Sequence, residues 1–208
     1  SHPLISKIAF TGGPIAAQQV IHNSAKNFAG LTLELGGKSP VIVFDDVDID
    51  SAVNGALGAI FGATGQSCVA GSRLYLQKTI ADAFLEKMVK KAKQIVVGNP
   101  MDEKTQMGPL CTQGQLDHVI REVAYAETEG GVILCGGKQP EDCYGQYFEP
   151  TIIDCPSQDM RIVDTELFGP VLSVLRFDNE AEALQMANDT KYGLAAGVFT
   201  RDTSRALR

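Results

Sequence analysis

Val41 to Gln77 reads VIVFDDVDIDSAVNGALGAIFGATGQSCVAGSRLYLQ, and the order of patterns in this stretch decides the fold class. VIVF (Val41–Phe44) is a continuous apolar run of the kind that forms a strand covered on both faces. Asp48 or Asp50 is placed to cap a helix, because Val53, Leu57, Ile60 and Phe61 follow at helical spacing. RLYLQ (Arg73–Gln77) is again strand-like. Between helix and second strand lies GQSCVAGSR (Gly65–Arg73), small, polar and flanked by glycine. The unit is strand, helix, loop, strand, with a cysteine in the loop.

The same alternation extends in both directions. KIAF (Lys7–Phe10) is a short strand, followed by Thr11-Gly12-Gly13-Pro14 and the moderately helical IAAQQVIHNSAKNF, with Pro14 suited to a first helical position. After RLYLQ, Ile80, Phe84, Met88, Ala92 and Ile95 recur every three to four residues until Gly98-Asn99-Pro100 stops them. Leu116, Val119, Ile120 and Val123 place a further helix over Gln115–Glu127, ahead of Gly130-Gly131 and the strand candidate VILCGG. YFEPTIIDC, PVLSVLRF and LAAGVFT supply later strands, with a helix over Asn179–Asn188 between the last two. Strands alternating with helices give an α/β fold with a mainly parallel, twisted sheet and helices on both faces. LGGKSP (Leu35–Pro40) is the one soft boundary.

Composition narrows the class of partner. With 18 Lys plus Arg against 25 Asp plus Glu, the formal net charge is −7, which disfavours nucleic acid and anionic membrane. No apolar run reaches the roughly 18 residues of a membrane span, and SHPLISKIAF has neither a basic n-region nor a long h-region. Cys68, Cys111, Cys135, Cys143 and Cys155 are odd in number, without a CxxC pair, and only three histidines accompany them. This indicates a reducing, cytoplasmic setting with no disulfide framework and no structural zinc.

Four segments can carry chemistry. FTGG (Phe10–Gly13) is a tight turn or a phosphate cradle, since N–H groups at a helix start converge on one point. In LELGGKSP, Glu34 stands between leucines and before a Gly-Gly pair. A carboxylate in apolar surroundings can serve as a general base, or Glu34 pairs with a backbone group or with Lys38. Cys68 is a nucleophile, small neighbours letting backbone N–H groups and substrate approach, or a small buried hydrophobe. Arg73 has no assignable direction as its charge partner. In TELFGP (Thr165–Pro170), Glu166 accepts hydrogen bonds from sugar hydroxyls or caps, and Phe168 packs on a ring or in the core.

FTGG, LELGGKSP, GQSCVAGSR and ELFGPV, in this order, closely resemble the aldehyde dehydrogenase superfamily, and NPMDEKTQMGPL, CGG, YFEPTI and YGLAAGVFT extend the resemblance along the chain. The resemblance implies a Rossmann-related catalytic fold, an NAD or NADP cofactor and a small aldehyde substrate. It implies that Cys68 attacks the aldehyde to give a thiohemiacetal, that hydride leaves to the nicotinamide, and that Glu34 activates water against the resulting thioester. The Cys68 N–H would be an oxyanion donor, typically worth roughly 3 kcal/mol of transition-state stabilisation. Glu166 would hold the nicotinamide ribose, Phe168 would contact the nicotinamide region, and Leu35 and Gly36 would line the path to the cysteine. Gln115 falls where the family contacts the adenosine ribose, and His118 stands where many members have lysine.

Two departures qualify the resemblance. Gly13 and Ala17 replace a hydroxyl residue and a glycine, leaving the Gly12 and Gly13 backbone for the pyrophosphate. Family members are also longer. Residues 1–35 read as the end of the cofactor domain and 36–208 as the catalytic domain, incomplete at its carboxyl end. The expectation is that these 208 residues have little or no dehydrogenase activity alone and that the parent is a homodimer or homotetramer. Two rivals are a coenzyme A-acylating aldehyde dehydrogenase, against which Glu34 argues, and a noncatalytic α/β assembly module.

Overall fold

The computed structural model describes residues 2–208. Two sheets organise it. β1 (Lys7–Thr11) leads through the glycine turn into α1 (Pro14–Ser24), a 3-10 turn follows at Ala25–Asn27, and the chain returns in β2 (Gly30–Glu34). β1 and β2 pair in parallel, Lys7 opposite Gly30 and Thr11 opposite Glu34, as a separate two-stranded sheet. β2 is a strand beyond those expected from the sequence, and the alternating Leu31 and Leu33 of GLTLE are its local signal.

The second sheet follows from the remaining elements, which are β3 (Pro40–Val43), α2 (Ile49–Phe61), β4 (Arg73–Gln77), α3 (Lys78–Ala92), α4 (Gln113–Thr128), β5 (Val132–Cys135), β6 (Thr151–Asp154), α5 (Arg161–Asp164), β7 (Val171–Phe177), α6 (Glu180–Asn188), β8 (Gly197–Phe199) and α7 (Thr203–Ala206). The spatial order is β5-β6-β7-β4-β3-β8. Only β5 against β6 is antiparallel, with a register shift between Ile133 and Cys135. The mainly parallel α/β fold expected from the sequence is the fold observed.

Side chains alternate across this sheet, so one run of strand residues builds two cores. Val41, Val43, Leu74, Leu76, Leu172 and Val174 point to the face covered by α2 and α3. Ile42, Phe44, Tyr75, Leu175 and Phe177 point to the face covered by α4, α5 and α6. Full burial of a side chain such as Phe84 or Phe177 stabilises the fold by about 1.5–3 kcal/mol. Caps fix the helix starts: Asp48 Oδ1 accepts the Ser51 N–H at 2.8 Å, Thr112 caps α4 and Asn179 caps α6. Among the described residues no helix is long and apolar enough to cross a membrane.

The strand order positions the site. β3, β4 and β7 are adjacent and parallel, so the segments that precede them, Glu34–Ser39, Gly65–Ser72 and Thr165–Pro170, emerge together at one end of the sheet. These are amino ends of strands. In open parallel sheets ligands ordinarily sit at carboxyl ends. Here only β1 and β2 present theirs, through Gly12–Gly13 and Glu34, to the same opening.

Candidate active site

A cleft of about 940 Å³ is lined by segments associated with both sheets. Every residue assigned from sequence lines it: Gly12 and Gly13 after β1, Glu34 at the end of β2 with Leu35 and Gly36 after it, Cys68 before β4, Gln115 and His118 on α4, and Glu166 and Phe168 before β7. Five segments far apart in sequence converge there. Thr11, Ile15, Gln66, Ser67 and Leu167 complete the lining and were not singled out beforehand.

Cys68 is half-buried, and its thiol is free. The turn that delivers it is strained. Ala63 (φ 51°), Thr64 (φ 60°) and Gly65 (φ 67°) are left-handed in succession, a conformation that costs a non-glycine residue roughly 1–2 kcal/mol. Gly65 is required there, because a methyl group would overlap the Gly169 carbonyl and lie 2.9 Å from Pro170 N. Among the described residues the Cys68 N–H donates to no protein acceptor, so it is free to meet an oxygen in the cleft.

The other arm is built by close backbone approach. Gly37 packs on the Cys68 carbonyl, a methyl at position 37 lying 3.5 Å from the Cys68 carbonyl carbon and closer still to its oxygen. Gly37 also donates its N–H to Glu166 Oε1 at 3.0 Å. Glu34 is exposed, and Leu33 and Leu35 are only half-buried, so the enclosing leucines read from sequence do not form. Lys38 is not its partner either. The Lys38 side chain runs into the core, 1% exposed, and its Nζ has no hydrogen-bond partner. Burial lowers this ammonium from 10.5 to about 7.

Arg73 turns away from Cys68. It is fully buried and donates from Nε to Lys38 O (2.7 Å), from Nη1 to the Tyr75 hydroxyl (2.8 Å) and from Nη2 to Ala187 O (2.8 Å). It therefore caps the carboxyl end of α6 and anchors the chain just beyond Gly37. Gln115 likewise has protein partners: Nε2 donates to the carbonyls of Leu167 and of Phe168, the latter at 3.0 Å. That fixes the left-handed Phe168 (φ 52°), whose ring is exposed to the cleft. The imidazole of His118 contacts Arg121 at 2.9 Å.

The phosphate cradle is narrower than the sequence suggested. Gly12 donates its N–H to Glu34 O at 3.1 Å, extending the β1–β2 pairing, so it is spent. The Gly13 N–H and the first turn of α1 remain, and the space beside Gly13 is open, with no atom within 4 Å of a built methyl group. With the cavity's size and a carboxylate set by a backbone N–H beside an exposed ring, the residues fit a dinucleotide.

Comparison with known proteins identifies the family. The profile of the aldehyde dehydrogenase family matches residues 1–208. The chain is 52% identical over 209 residues to (Z)-2-((N-methylformamido)methylene)-5-hydroxybutyrolactone dehydrogenase of Acinetobacter baylyi, covering all of this chain and 43% of that protein. It is 47% identical over 212 residues to human 4-trimethylaminobutyraldehyde dehydrogenase, again covering 100% and 43%. The fold superposes on the crystal structure of Staphylococcus aureus betaine aldehyde dehydrogenase in complex with NAD+ with a TM-score of 0.96 at 40% identity, covering 100% of this chain and 42% of that one. The chain thus spans about 43% of the length of the curated relatives it matches. It belongs to the aldehyde dehydrogenase family.

Proposed function

We propose that the protein carrying this chain oxidises an aldehyde to a carboxylic acid with a nicotinamide dinucleotide, NAD or NADP, and with Cys68 as nucleophile. The observation that carries the reading is the convergence of Cys68, Glu34 and Glu166 on one cleft from segments up to 132 residues apart. Family membership supports the reaction class, and the NAD+ complex of the betaine aldehyde dehydrogenase supports the cofactor.

Cys68 Sγ adds to the carbonyl carbon, and the Cys68 N–H receives the oxygen as it takes up charge. A bound nicotinamide dinucleotide supplies the acceptor for the hydride that this adduct loses on becoming a thioester. Glu34, exposed to the cleft on the Gly12-bonded arm, takes a proton from water as the water attacks the thioester carbon. Acid and free thiol result. Glu166, oriented by the Gly37 N–H, binds a ribose hydroxyl, and the Phe168 ring offers a face to the nicotinamide. The Gly13 N–H and the start of α1 would hold the pyrophosphate. Gln115 acts through the Phe168 turn as well as at the cleft wall. Residues 1–35, whose strands form their own sheet, are the end of a cofactor-binding unit, and 36–208 carry the thiol. Glu34 in the cleft favours hydrolysis over transfer of the acyl group to coenzyme A.

The test is thiol reactivity. Limiting iodoacetamide near pH 7, with label counted at each cysteine by peptide mass spectrometry, should mark Cys68 ahead of Cys111, Cys135, Cys143 and Cys155. Labelling of exposed Cys111 ahead of Cys68 refutes the assignment.

A further inference from the structure

We propose that Thr64 and Gln66 are positioning residues whose side chains clamp the left-handed turn Ala63–Gly65 onto the Gly108–Cys111 segment and thereby set where the Cys68 thiol stands. The proposal rests on Cys68 being the nucleophile.

Alanine and threonine carry a Cβ, unlike glycine, and have no carboxamide or carboxylate of the kind that eases asparagine or aspartate into the left-handed region, yet Ala63 and Thr64 both occupy it. Such a turn persists only when its surroundings over-determine it. Three side-chain hydrogen bonds surround the turn. Thr64, itself buried, donates its hydroxyl to Gly108 O at 3.2 Å. Gln66 Oε1 accepts the Cys111 N–H at 2.8 Å, and its Nε2 donates towards Pro109 O at 3.4 Å. The opposite wall of the cleft uses the same support, since α4 begins at Gln113, capped by Thr112, and carries Gln115 to the Leu167 and Phe168 carbonyls. Residues 108–115 therefore grip two strained segments, one bearing the thiol and the other Glu166 and Phe168. Side-chain hydrogen bonds, not strand pairing, make both connections: the Thr64 hydroxyl and the Gln66 amide on one side, the Gln115 amide on the other.

A clamp that opposes strain differs from a side chain that fills space, because relieving the strain should make the clamp dispensable. Glycine at position 63 adopts the left-handed region without a Cβ penalty, and residue 63 is exposed, so Ala63→Gly leaves no cavity. Hydrogen exchange on the folded 208-residue chain reads the turn through the amides of Gln66, Ala70 and Gly71, bonded to Ala63 O, Ser67 O and Ala59 O. Alkylation of Cys68 by iodoacetamide, relative to Cys143 in the same molecules, reads the thiol.

Gln66→Ala is expected to speed exchange at these amides about tenfold or more and to change the Cys68 to Cys143 alkylation ratio at least about threefold. Adding Ala63→Gly should return both to within about twofold of the parent. Gln66→Glu keeps the acceptor for Cys111 and should stay within about threefold. Should Gln66→Ala not fold, Thr64→Val carries the same test, with about threefold faster exchange and the same rescue. Parental exchange in Gln66→Ala overturns the proposal, as does a double variant as perturbed as the single one. If exchange behaves as expected but Cys68 in the parent alkylates no faster than Cys143, the clamp stands and the assignment of Cys68 as nucleophile falls.

Discussion

Gly37 and Glu166 lie 129 residues apart in sequence, and the backbone N–H of one meets the carboxylate of the other at 3.0 Å. The bond holds the acid at the cleft and closes the Glu34–Gly37 arm onto the turn before β7. Gly36, next in line, has no room for a side chain, because a methyl group there would collide with the Glu166 carboxylate, whose Cδ lies 2.8 Å away.

Gly36→Ala should therefore damage the site more than the fold. The colliding atoms belong to the far end of a flexible side chain, so Glu166 swings out at little cost to folding. If Glu166 binds the ribose as proposed, NAD+ affinity of the full-length protein, measured by titration calorimetry, should fall by about tenfold or more, the equivalent of one charge-assisted hydrogen bond. Tm should move by no more than about 3 °C. Unchanged affinity would remove Glu166 from the cofactor site.

If Glu34 is the base of the proposed reaction, Glu34→Gln should separate its two halves. The amide cannot take a proton from water, so the first equivalent of reduced cofactor should form and steady-state turnover should drop by about 10²–10⁴-fold. Intact-mass spectrometry should find the acyl group held on the Cys68 peptide. A loss of the first equivalent together with turnover would place Glu34 before thioester formation.

Lys38 gives a pH-dependent stability. Its folded value of about 7 lies below the unfolded 10.5, so between these values the unfolded chain binds more protons, and stability rises with pH across that window. Below pH 7 the buried ammonium weighs in full. Cys155, pushed up to about 11 from 9.0 by burial, opposes the trend above pH 9, so the clean interval is pH 7 to 9. Lys38→Met removes an unpartnered buried amine and should stabilise the chain at pH 7 by on the order of 1–3 kcal/mol. That advantage should shrink towards pH 9 in urea titrations. A constant difference across the interval would mean that Lys38 stays charged inside the fold.

Arg73→Lys keeps the charge and loses the fork. Lysine cannot reach Lys38 O, the Tyr75 hydroxyl and the α6 carbonyls together, so about 3 kcal/mol of stability should go, with the urea midpoint lowered and the slope unchanged. Hydrogen exchange should quicken at the Asp189 amide beyond α6, where Met186 O is its acceptor. A loss below about 0.5 kcal/mol would mean that Tyr75 and Gln158 hold the α6 end without it.

The sequence by itself determined the alternation of strands and helices, because apolar periodicity is a local property: Val41–Val43, Ile49–Phe61 and Arg73–Gln77 form the elements their patterns name. The family resemblance of LELGG, GQSC and ELFG also pointed to Glu34, Cys68 and Glu166, and all three line the cleft. What tertiary structure alone decided is direction and surroundings. Nothing local tells that Arg73 turns from Cys68 towards a helix end 114 residues away, or that Lys38 is buried while Glu34 is exposed. Nor does Ala63-Thr64 carry any mark of a left-handed turn, for its own residues disfavour that conformation. These features are set by contacts between adjacent parallel strands β3, β4 and β7 and the segments before them. Strand order is a property of the whole chain, and no window of sequence contains it.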